Sequence, residues 1–412
     1  MREDRKNVNF GDLYAIPSRN GVSKPSRVRG NGFKMINMGE LFANDRIYDI
    51  EMELVPLNEK EQKNFLVLQN DLLFARQSIV AEGAGKCSIV MEVGDDITCF
   101  ESHIIRVRLK EEKAHPLFYY YFFQSEVGKG YLSSIRQQGV QAGIRGSELS
   151  LLKLPYLQIE TQRKIASILS AYDDLIENNL KRIKLLEEQA QLTYEEWFVR
   201  FKFPGHESAA FDEDSELPVG WEKIKLDNVL KASNGKSFKG DFFDGIGIPV
   251  YGSNGVIGQS DIFNNKEAII VGRVGAYCGA TRYCKGKFWA TDNTIAITSI
   301  DERMPNILAF YIISLYDLRS MAGGAAQPLL TQRLINNLDV VVPLKQIASK
   351  FKTLINIIFD NVLNLQNQNQ LLKEARDILL PRLMSGIIDV DNLEVGEQLG
   401  MVAERGERYN EI

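Results

Sequence analysis

The chain has 412 residues, too many for one hydrophobic core, and this length predicts two mid-sized domains with connecting helices. Hydrophobic residues make up 44% and charged residues 25%, as in ordinary folded proteins, and no apolar run reaches the roughly 20 residues needed to span a bilayer. The charged start, Met1 to Lys6, lacks the apolar core of a signal peptide, so we expect a cytoplasmic protein.

The net charge of −5 argues against nucleic-acid binding, but the distribution of charge matters more than its sum. Three windows contain bases and no acid: residues 13–39, 127–147 and 268–291. Each lies in a segment that is predicted to be globular, and they occur in both halves of the chain. Nucleic-acid surfaces and ordinary solvated faces both remain open as interpretations.

The cysteines and histidines do not have the spacing of metal ligands. The four cysteines form no C-x-x-C pair, and the three histidines are scattered among them. Free thiols in a reducing compartment are the better interpretation, and we predict no metal site. The cysteines are Cys87, Cys99, Cys278 and Cys284.

The first globular segment is predicted to span residues 1–158 and to mix short strands with helices. Apolar or alternating runs predict strands at 65–68, 71–75 and 104–109. A helix is predicted from Pro116 to Ser125, because proline favours the first helical turn. A Gly-rich loop around Gln141 follows, and Ser147 is the expected N-cap of the next helix.

A long central helix is predicted within residues 159–203. Apolar positions from Ile165 to Trp197 step by alternating fours and threes, which is the spacing of a coiled-coil seam. Pro204 and Gly205 end the helix, and residues 204–216 form a polar, acidic linker. The aromatic residues at the helix end could anchor a partner protein or pack against the following domain. They are Trp197, Phe198 and Phe201.

The second half repeats the plan of the first. A globular segment at 217–345 precedes a second helical segment at 346–388, and residues 389–412 form a polar tail. The seam of the second helix follows that of the first without gaps, at the sequence separation that takes Ile165 to Phe351. We call this constant separation the repeat offset.

The repeat extends from the helices into the globular segments. Arg76 and Arg273 end similar strand motifs, whereas Gln141 and Gln327 match each other at the repeat offset. The separation of matching motifs is larger in the earlier parts of the segments, which indicates insertions in one globular segment relative to the other.

These elements predict an α+β protein. We expect two similar α/β domains separated by two long helices that form an antiparallel, pseudo-twofold coiled coil. Pairing about the helix midpoints brings Asn179 to Asn369 and Ile183 to Leu365, so a polar pair would fix the register. Parallel association with another chain is the alternative.

The sequence offers residues for binding rather than for catalysis. It contains neither a P-loop, nor a G-x-G-x-x-G run, nor a histidine in a metalloprotease or nucleophile-activating context. Arg273 lies between glycines at a strand end, where its guanidinium can contact guanine or phosphate. The loop from Tyr251 to Asn254 has groups that can contact base edges, although a plain turn with a packed tyrosine is the alternative. The candidate DNA-binding residues are Arg27, Arg29, Lys34, Arg76, Gln141, Arg145, Lys236, Tyr251, Ser253, Asn254, Arg273, Tyr277, Arg282 and Gln327.

Four segments resemble the DNA specificity subunit of Type I restriction–modification systems. They read QRKIASILSAYDDLIENN at 162–179, LPVGW at 217–221, GRVG at 272–275 and LLPRLMSG at 379–386. The resemblance covers nearly all of the chain. It implies two target-recognition domains, each of which reads one half of a split DNA site, with a gap that the helices set.

The resemblance also implies partners. A subunit of this family has no catalytic activity and recruits two modification subunits, which methylate adenine, and restriction subunits, which translocate and cut DNA. S-adenosylmethionine, ATP and Mg are therefore expected on the partner subunits, and no cofactor is expected on this chain.

Two departures from the family pattern weaken residue-by-residue transfer. The first half has no counterpart of LPVGW, and the second helix begins PLKQI where the first keeps Glu160 before Thr161 and Gln162. The contacts predicted for the arginine and glutamine pairs therefore depend on repeat position and chemistry.

Two other function classes remain open from the sequence. A scaffold protein would use its seams to bind another coiled coil and its globular segments to bind protein or glycan. A regulator would bind DNA tightly without partners. Duplex selection separates the three, since only a specificity subunit enriches two short blocks at a fixed spacing.

Overall fold

The computed structural model describes residues 6–78, 80–137, 142–242, 247–323 and 328–390. The chain divides into two compact units, of which unit 1 comprises Met1–Asn178 with Gln368–Ile412 and unit 2 comprises Asn179–Asn367. The division falls inside both long helices. Each unit therefore contains one globular domain and a segment of each helix.

The globular domain of unit 1 combines a five-stranded sheet of order β2-β10-β6-β8-β4 with a three-stranded sheet of order β5-β3-β9. Two-stranded pairs β1-β12 and β11-β7 complete it. Its elements are β1 Asn7–Asn9, β2 Tyr14–Asn20, β3 Phe33–Ile36, α1 Met38–Ala43, β4 Arg46–Ile47, β5 Glu53–Val55, α2 Glu59–Phe65, β6 Leu72–Ala75, β7 Gln77–Ser78, β8 Cys87–Val90, β9 Thr98–Phe100, β10 Ile104–Leu109, α3 Pro116–Gln124, α4 Glu126–Ser134, β11 Ala142–Gly143, α5 Gly146–Ser150 and β12 Lys153–Pro155.

The globular domain of unit 2 is built on a six-stranded sheet of order β14-β19-β17-β18-β15-β16, beside a two-stranded pair β13-β20. Its elements are β13 Glu222–Lys225, β14 Leu230–Asn234, β15 Ile248–Gly252, β16 Gly255–Ser260, β17 Asn265–Gly272, β18 Thr281–Ala290, β19 Thr294–Ser299, α7 Asn306–Ser314, α8 Leu318–Met321, α9 Gln332–Asn336 and β20 Asp339–Val342.

The two predicted long helices are confirmed. Helix α6 spans Ile159–Tyr194 and continues into a π-helical turn at Glu195–Val199, and helix α10 spans Lys345–Ser385 and runs through Pro381. With its mixed sheets and helices, the chain has the predicted α+β architecture of two globular domains and two long helices.

Helix segments in unit 1 run antiparallel. Arg376 on α10 donates to Asp173 on α6 at 2.5 Å. Asn369, which precedes Arg376, donates through Nδ2 at 3.4 Å to the carbonyl of Ile176, which follows Asp173. Asn369 is therefore buried and hydrogen-bonded on the seam. Its predicted side-chain contact with Asn179 joins residues of different units and stays a prediction.

Helix segments in unit 2 also run antiparallel. Ile183 shares a buried cluster with Val362 and Leu365, which confirms the predicted meeting of Ile183 and Leu365. Nearer the end of α6, the Trp197 ring lies 5.9 Å from that of Phe351. Higher residue numbers on α6 therefore contact lower residue numbers on α10, as antiparallel helices require.

The aromatic residues at the end of α6 belong to the core of unit 2. Phe198 is 8% exposed and lies edge-on to Phe351 at 4.9 Å and 5.7 Å from Trp221. The alternative in which this cluster packs against the following domain is thus confirmed for Phe198.

Two local predictions in unit 1 are wrong. Residues 65–68 are not a strand. Phe65 ends a helix that the capping box of Asn58 and Glu61 starts, and residues 66–68 have no regular secondary structure. The next helix, Gly146–Ser150, has Arg145 rather than Ser147 at its N-cap. The strands predicted at 71–75 and 104–109 and the helix from Pro116 are confirmed.

Phe351→Ala tests the seam of unit 2. The ring is fully buried among aromatic side chains, so its loss should lower the free energy of unfolding by about 3–5 kcal/mol. All three tryptophans lie in unit 2, and tryptophan fluorescence during urea unfolding therefore reports on this unit. Ile357→Ala, at a 59% exposed position of the same helix, is the control and should change stability by less than about 0.5 kcal/mol. Equal losses would contradict this account of the seam.

Candidate nucleic-acid interface

Three segments of unit 2 meet around Gly272, the last residue of β17. A Cβ at this position would lie 2.3 Å from the Tyr277 carbonyl oxygen and 3.0 Å from the Ser253 carbonyl oxygen. Only a residue without a side chain permits this approach. The end of β17, the β15–β16 turn and the turn at Tyr277 are consequently adjacent.

Arg273 is fixed by the turn before β19. Its backbone N–H donates to the Asn293 carbonyl at 2.9 Å, and its guanidinium donates to the Asp292 carbonyl at 3.4 Å. Ser253 Oγ donates to the same Asn293 carbonyl at 2.6 Å. The half-buried arginine and the serine therefore share one anchor, and arginine Nε, itself buried, has no hydrogen-bond partner among the described residues.

Arg282 covers the β15–β16 turn. Its guanidinium donates to the Asn254 carbonyl at 3.4 Å and would lie 3.2 Å from a Cβ on Gly255. Arg282 and Asn254 are exposed, as is Tyr277, which is 55% exposed. Ser253, Asn254, Arg273, Tyr277 and Arg282 therefore form one polar surface, which we call the unit 2 cluster.

Tyr251 and Lys236 border the unit 2 cluster. The Tyr251 ring packs on Phe288 at 5.7 Å, and burial raises the pKa of its phenol, which stays protonated. Tyr251 thus points into the domain and is the weaker candidate for a base contact. Lys236 is exposed, and its backbone N–H donates to Ala290, which pairs with Tyr251.

Unit 1 repeats the arginine anchor. The backbone N–H of Arg76 donates to the His103 carbonyl at 2.7 Å, and its guanidinium donates to the Ser102 carbonyl at 3.4 Å. The carbonyl of Arg76 accepts from Ile144, and that of Arg273 accepts from Leu330, each at 2.9 Å. Ile144 and Leu330 are separated by the repeat offset, so the two arginines occupy equivalent places.

The isolated bridges beside the two arginines are also equivalent. Isolated bridges join Gln137 to Gly143 and Gly323 to Leu329, again at the repeat offset. The predicted contacts Gln141 and Gln327 lie outside the described residues. Arg145 follows Ile144 and is exposed at the start of α5, which places it beside the anchor of Arg76.

Two of the three candidate bases in the first window are paired with acids. Arg29 pairs with Glu53 at 2.7 Å and Lys34 with Asp49 at 2.6 Å, and the Asp49 hydrogen bond raises the pKa of Lys34. Arg27 is exposed. Across the described chain, no hydrogen bond or ion pair joins these three side chains to Arg76. The window is therefore less basic in the fold than in the sequence.

Three polar positions beside the arginine anchors and Tyr277 are not among the residues predicted from the sequence. His103, whose side chain is 52% exposed, and Asn293 supply the anchoring carbonyls, and Arg319 donates to the Ala276 carbonyl at 3.1 Å beside Tyr277. The resemblance between the segments at 102–107 and 292–297 indicated the first two positions. Arg319 lies two residues after Asp317 and therefore outside the acid-free windows.

The described residues contain no group of histidine, cysteine, aspartate or glutamate side chains that could hold a metal ion. The four cysteines are free and buried, and burial raises the pKa of Cys99 to about 12 and that of Cys284 to about 11, so both thiols stay protonated. Within the same described ranges, no helix is long and apolar enough to cross a membrane.

Comparison with known proteins identifies the class. The family model described as Type I restriction modification DNA specificity domain matches residues 2–188 and 218–374. The chain therefore belongs to this family, and it is a DNA specificity subunit of a Type I restriction–modification system, as the sequence predicted.

Relatives and solved structures agree with this assignment. The MjaIX specificity subunit of Methanocaldococcus jannaschii is 31% identical over 301 residues, which cover 67% of this chain and 70% of that protein. The putative MjaX specificity subunit of the same organism is 22% identical over 90% of this chain and 91% of its own length. A crystal structure of the S subunit from M. genitalium has the same fold, with a TM-score of 0.62, 16% identity and coverage of 93% and 97%.

Gly272→Ala tests the close approach that forms the unit 2 cluster. The added methyl group would overlap two backbone carbonyls and should lower the free energy of unfolding of unit 2 by about 1–3 kcal/mol. Gly323→Ala is the control, since no atom of the described residues lies within 4 Å of its Cβ position. Urea unfolding followed by tryptophan fluorescence provides the comparison, and a wild-type midpoint for Gly272→Ala would show that the segments do not meet as described.

Proposed function

We propose that the chain reads a bipartite DNA target, with one half bound by each globular domain. The observation that carries this proposal is the pair of equivalent arginine anchors at Arg76 and Arg273. A guanidinium held at a strand end can bond guanine through two donors or contact a phosphate. Two such sites on one chain suit a target of two short blocks with an unread gap.

The surroundings of the arginines support base reading. The unit 2 cluster offers a hydroxyl, an amide, a phenol and two guanidinium groups, and this mixture of donors and acceptors can tell base edges apart. Phosphate contacts would add affinity that falls with salt. Because the whole chain is acidic, DNA binding by the isolated subunit should be weak. Basic surfaces of partner subunits would supply the remaining contacts with DNA.

Arg76→Ala and Arg273→Ala test the assignment of one half-site to each domain. Each loss should weaken binding to the selected target about 5-fold to 150-fold and relax base preference in one block only, a different block for each variant. Selection from a random duplex library, in the presence of the modification subunit, provides the measurement. The control Arg303→Ala removes the same charge from a guanidinium paired with Asp301 and should leave both blocks unchanged.

Two outcomes separate the possible function classes, and a third tests the assignment of one block to each domain. If the wild-type protein does not enrich two blocks from the library, the specificity proposal is excluded and a scaffold is favoured. Tight DNA binding by the chain in the absence of partner subunits would indicate a regulator. Relaxed preference in both blocks by one arginine variant would contradict the assignment of one block to each domain.

The long helices also carry exposed apolar ridges that support docking of partner subunits. In unit 2, Leu185, Leu192 and Val199 recur with heptad spacing and have exposures of 64%, 57% and 51%. In unit 1, Leu371 and Ile378 are 63% and 55% exposed. A ridge of this spacing fits an amphipathic partner helix.

The two ridges are equivalent in the repeat. The repeat offset takes Leu185 to Leu371 and Leu192 to Ile378. Equivalent ridges would bind two copies of one partner, and we assign them to two modification subunits. Restriction subunits complete the proposed complex, with S-adenosylmethionine, ATP and Mg bound by the partners.

Leu185→Glu and Leu371→Glu test this docking. A charge in the centre of an apolar contact should remove one modification subunit in each variant and both in the double variant, as measured by native mass spectrometry. Leu151→Glu, at a 70% exposed position outside the long helices, is the control and should retain both copies. Two bound copies in the double variant would contradict the assignment.

A further inference from the structure

Each globular domain forms an ion pair with a long helix at the same position of the repeat. In unit 1, Arg46 bonds the Asp174 carboxylate at 2.6 Å. In unit 2, Lys285 bonds the Asp360 carboxylate at 2.5 Å. The repeat offset takes Asp174 to Asp360, so the repeat preserves a domain-to-helix contact as well as the seam.

In unit 1, the arginine of this ion pair is buried. The Arg46 side chain is only 6% exposed, and a second carboxylate, that of Glu177, lies 3.3 Å from its guanidinium. The Tyr48 hydroxyl donates to Glu177, one turn along the helix from Asp174. Burial alone would lower the pKa of Arg46, but these neighbours raise it above its usual value, so the guanidinium stays charged.

Strand β4, an edge strand of the five-stranded sheet, begins at Arg46. The pair therefore fixes the rim of this sheet to one turn of α6. On the same turn, Asp173 accepts from the Tyr121 hydroxyl at 2.6 Å and from Arg376 at 2.5 Å. Contacts from the sheet, from α3 and from α10 thus converge within residues 173–177.

The equivalent contact in unit 2 is weaker. Lys285 and Asp360 are 36% and 57% exposed, and the neighbouring contact is the Tyr283 ring against Phe359 at 4.9 Å. The two aspartates are similarly exposed, at 54% for Asp174 and 57% for Asp360, so the pairs differ in the burial of the cation. Exposed ion pairs contribute little, whereas a buried guanidinium depends on its carboxylate partners. We therefore expect the ion pair of the first domain to contribute more to its orientation than that of the second.

We propose that Arg46 and Lys285 are positioning residues, which fix the orientation of each recognition domain on the helix segment of its own unit and thereby set the gap in the DNA target. The proposal rests on the proposed bipartite reading. A gap of one fixed length requires each domain to keep a fixed angle on its helix, because the spacing of two half-sites follows from the geometry with which the protein holds its two reading elements. Neither side chain needs to touch DNA for this role.

Selection by gap length tests the proposal. Duplexes carry the two selected blocks at gaps from two base pairs below to two above the preferred length, and the complex of the full chain with modification subunits binds them. Wild type should discriminate against a one-base-pair change by about 30-fold or more, and Arg46→Met should reduce this ratio to about 3-fold. The sequences of the two blocks should not change.

Further variants separate positioning from folding. Arg46→Lys keeps the charge and should recover most of the gap preference, whereas Lys285→Met should reduce it less than Arg46→Met, because its pair is exposed. Lys113→Met removes an exposed lysine of the same domain and is the matched control. If Arg46→Met does not fold, Asp174→Asn carries the test, because it removes the shorter of the two ion pairs while Glu177 still compensates the guanidinium. Its gap discrimination should fall between those of wild type and Arg46→Met.

The outcomes are distinguishable. If wild type selects no pair of blocks, the proposed bipartite reading fails. If wild type selects a fixed gap and folded Arg46→Met or Asp174→Asn keeps the full discrimination, the positioning role is overturned while the bipartite reading stands. Altered base preference within a block would also overturn it, since that result would indicate direct contact with DNA.

Discussion

Burial of an apolar seam between antiparallel helix segments is the interaction on which each unit depends. In unit 2 the seam brings Ile183 against Val362 and Leu365, and it continues into the aromatic core around Phe351. The globular domain alone would expose this core, because the helix segments cover it. The same burial leaves the opposite helix faces outward, and those faces carry the apolar ridges proposed to bind partners.

Strand ends, rather than any catalytic group, supply the chemistry of the candidate interface. Gly272 lets three segments meet, and backbone carbonyls of the neighbouring turn hold Arg273. The first domain holds Arg76 in the same manner despite insertions between the repeats. Geometry fixed by backbone contacts allows the exposed loop residues to differ between domains, as the proposed reading of two different half-sites requires.

Local and periodic features could be predicted from the sequence, and long-range pairing could not. The helix seams followed from apolar spacing, and the equivalence of the arginines followed from the repeat. Pairing of Arg29 with Glu53 and of Lys34 with Asp49 could not be foreseen, because the acids come from distant segments. The buried Arg46 has no local pattern of its own, and only its place in the fold reveals its contact with the helix.

Site-specific photocrosslinking tests the central claim of two reading domains most directly. A crosslinking amino acid at His103 in unit 1 or at Asn254 in unit 2 would be placed in the complex with modification subunits on the selected duplex, and the crosslinked bases would be mapped. The account predicts crosslinks from position 103 to one block and from position 254 to the other, with none in the gap. Crosslinks from both positions to the same block, or none to either, would contradict it.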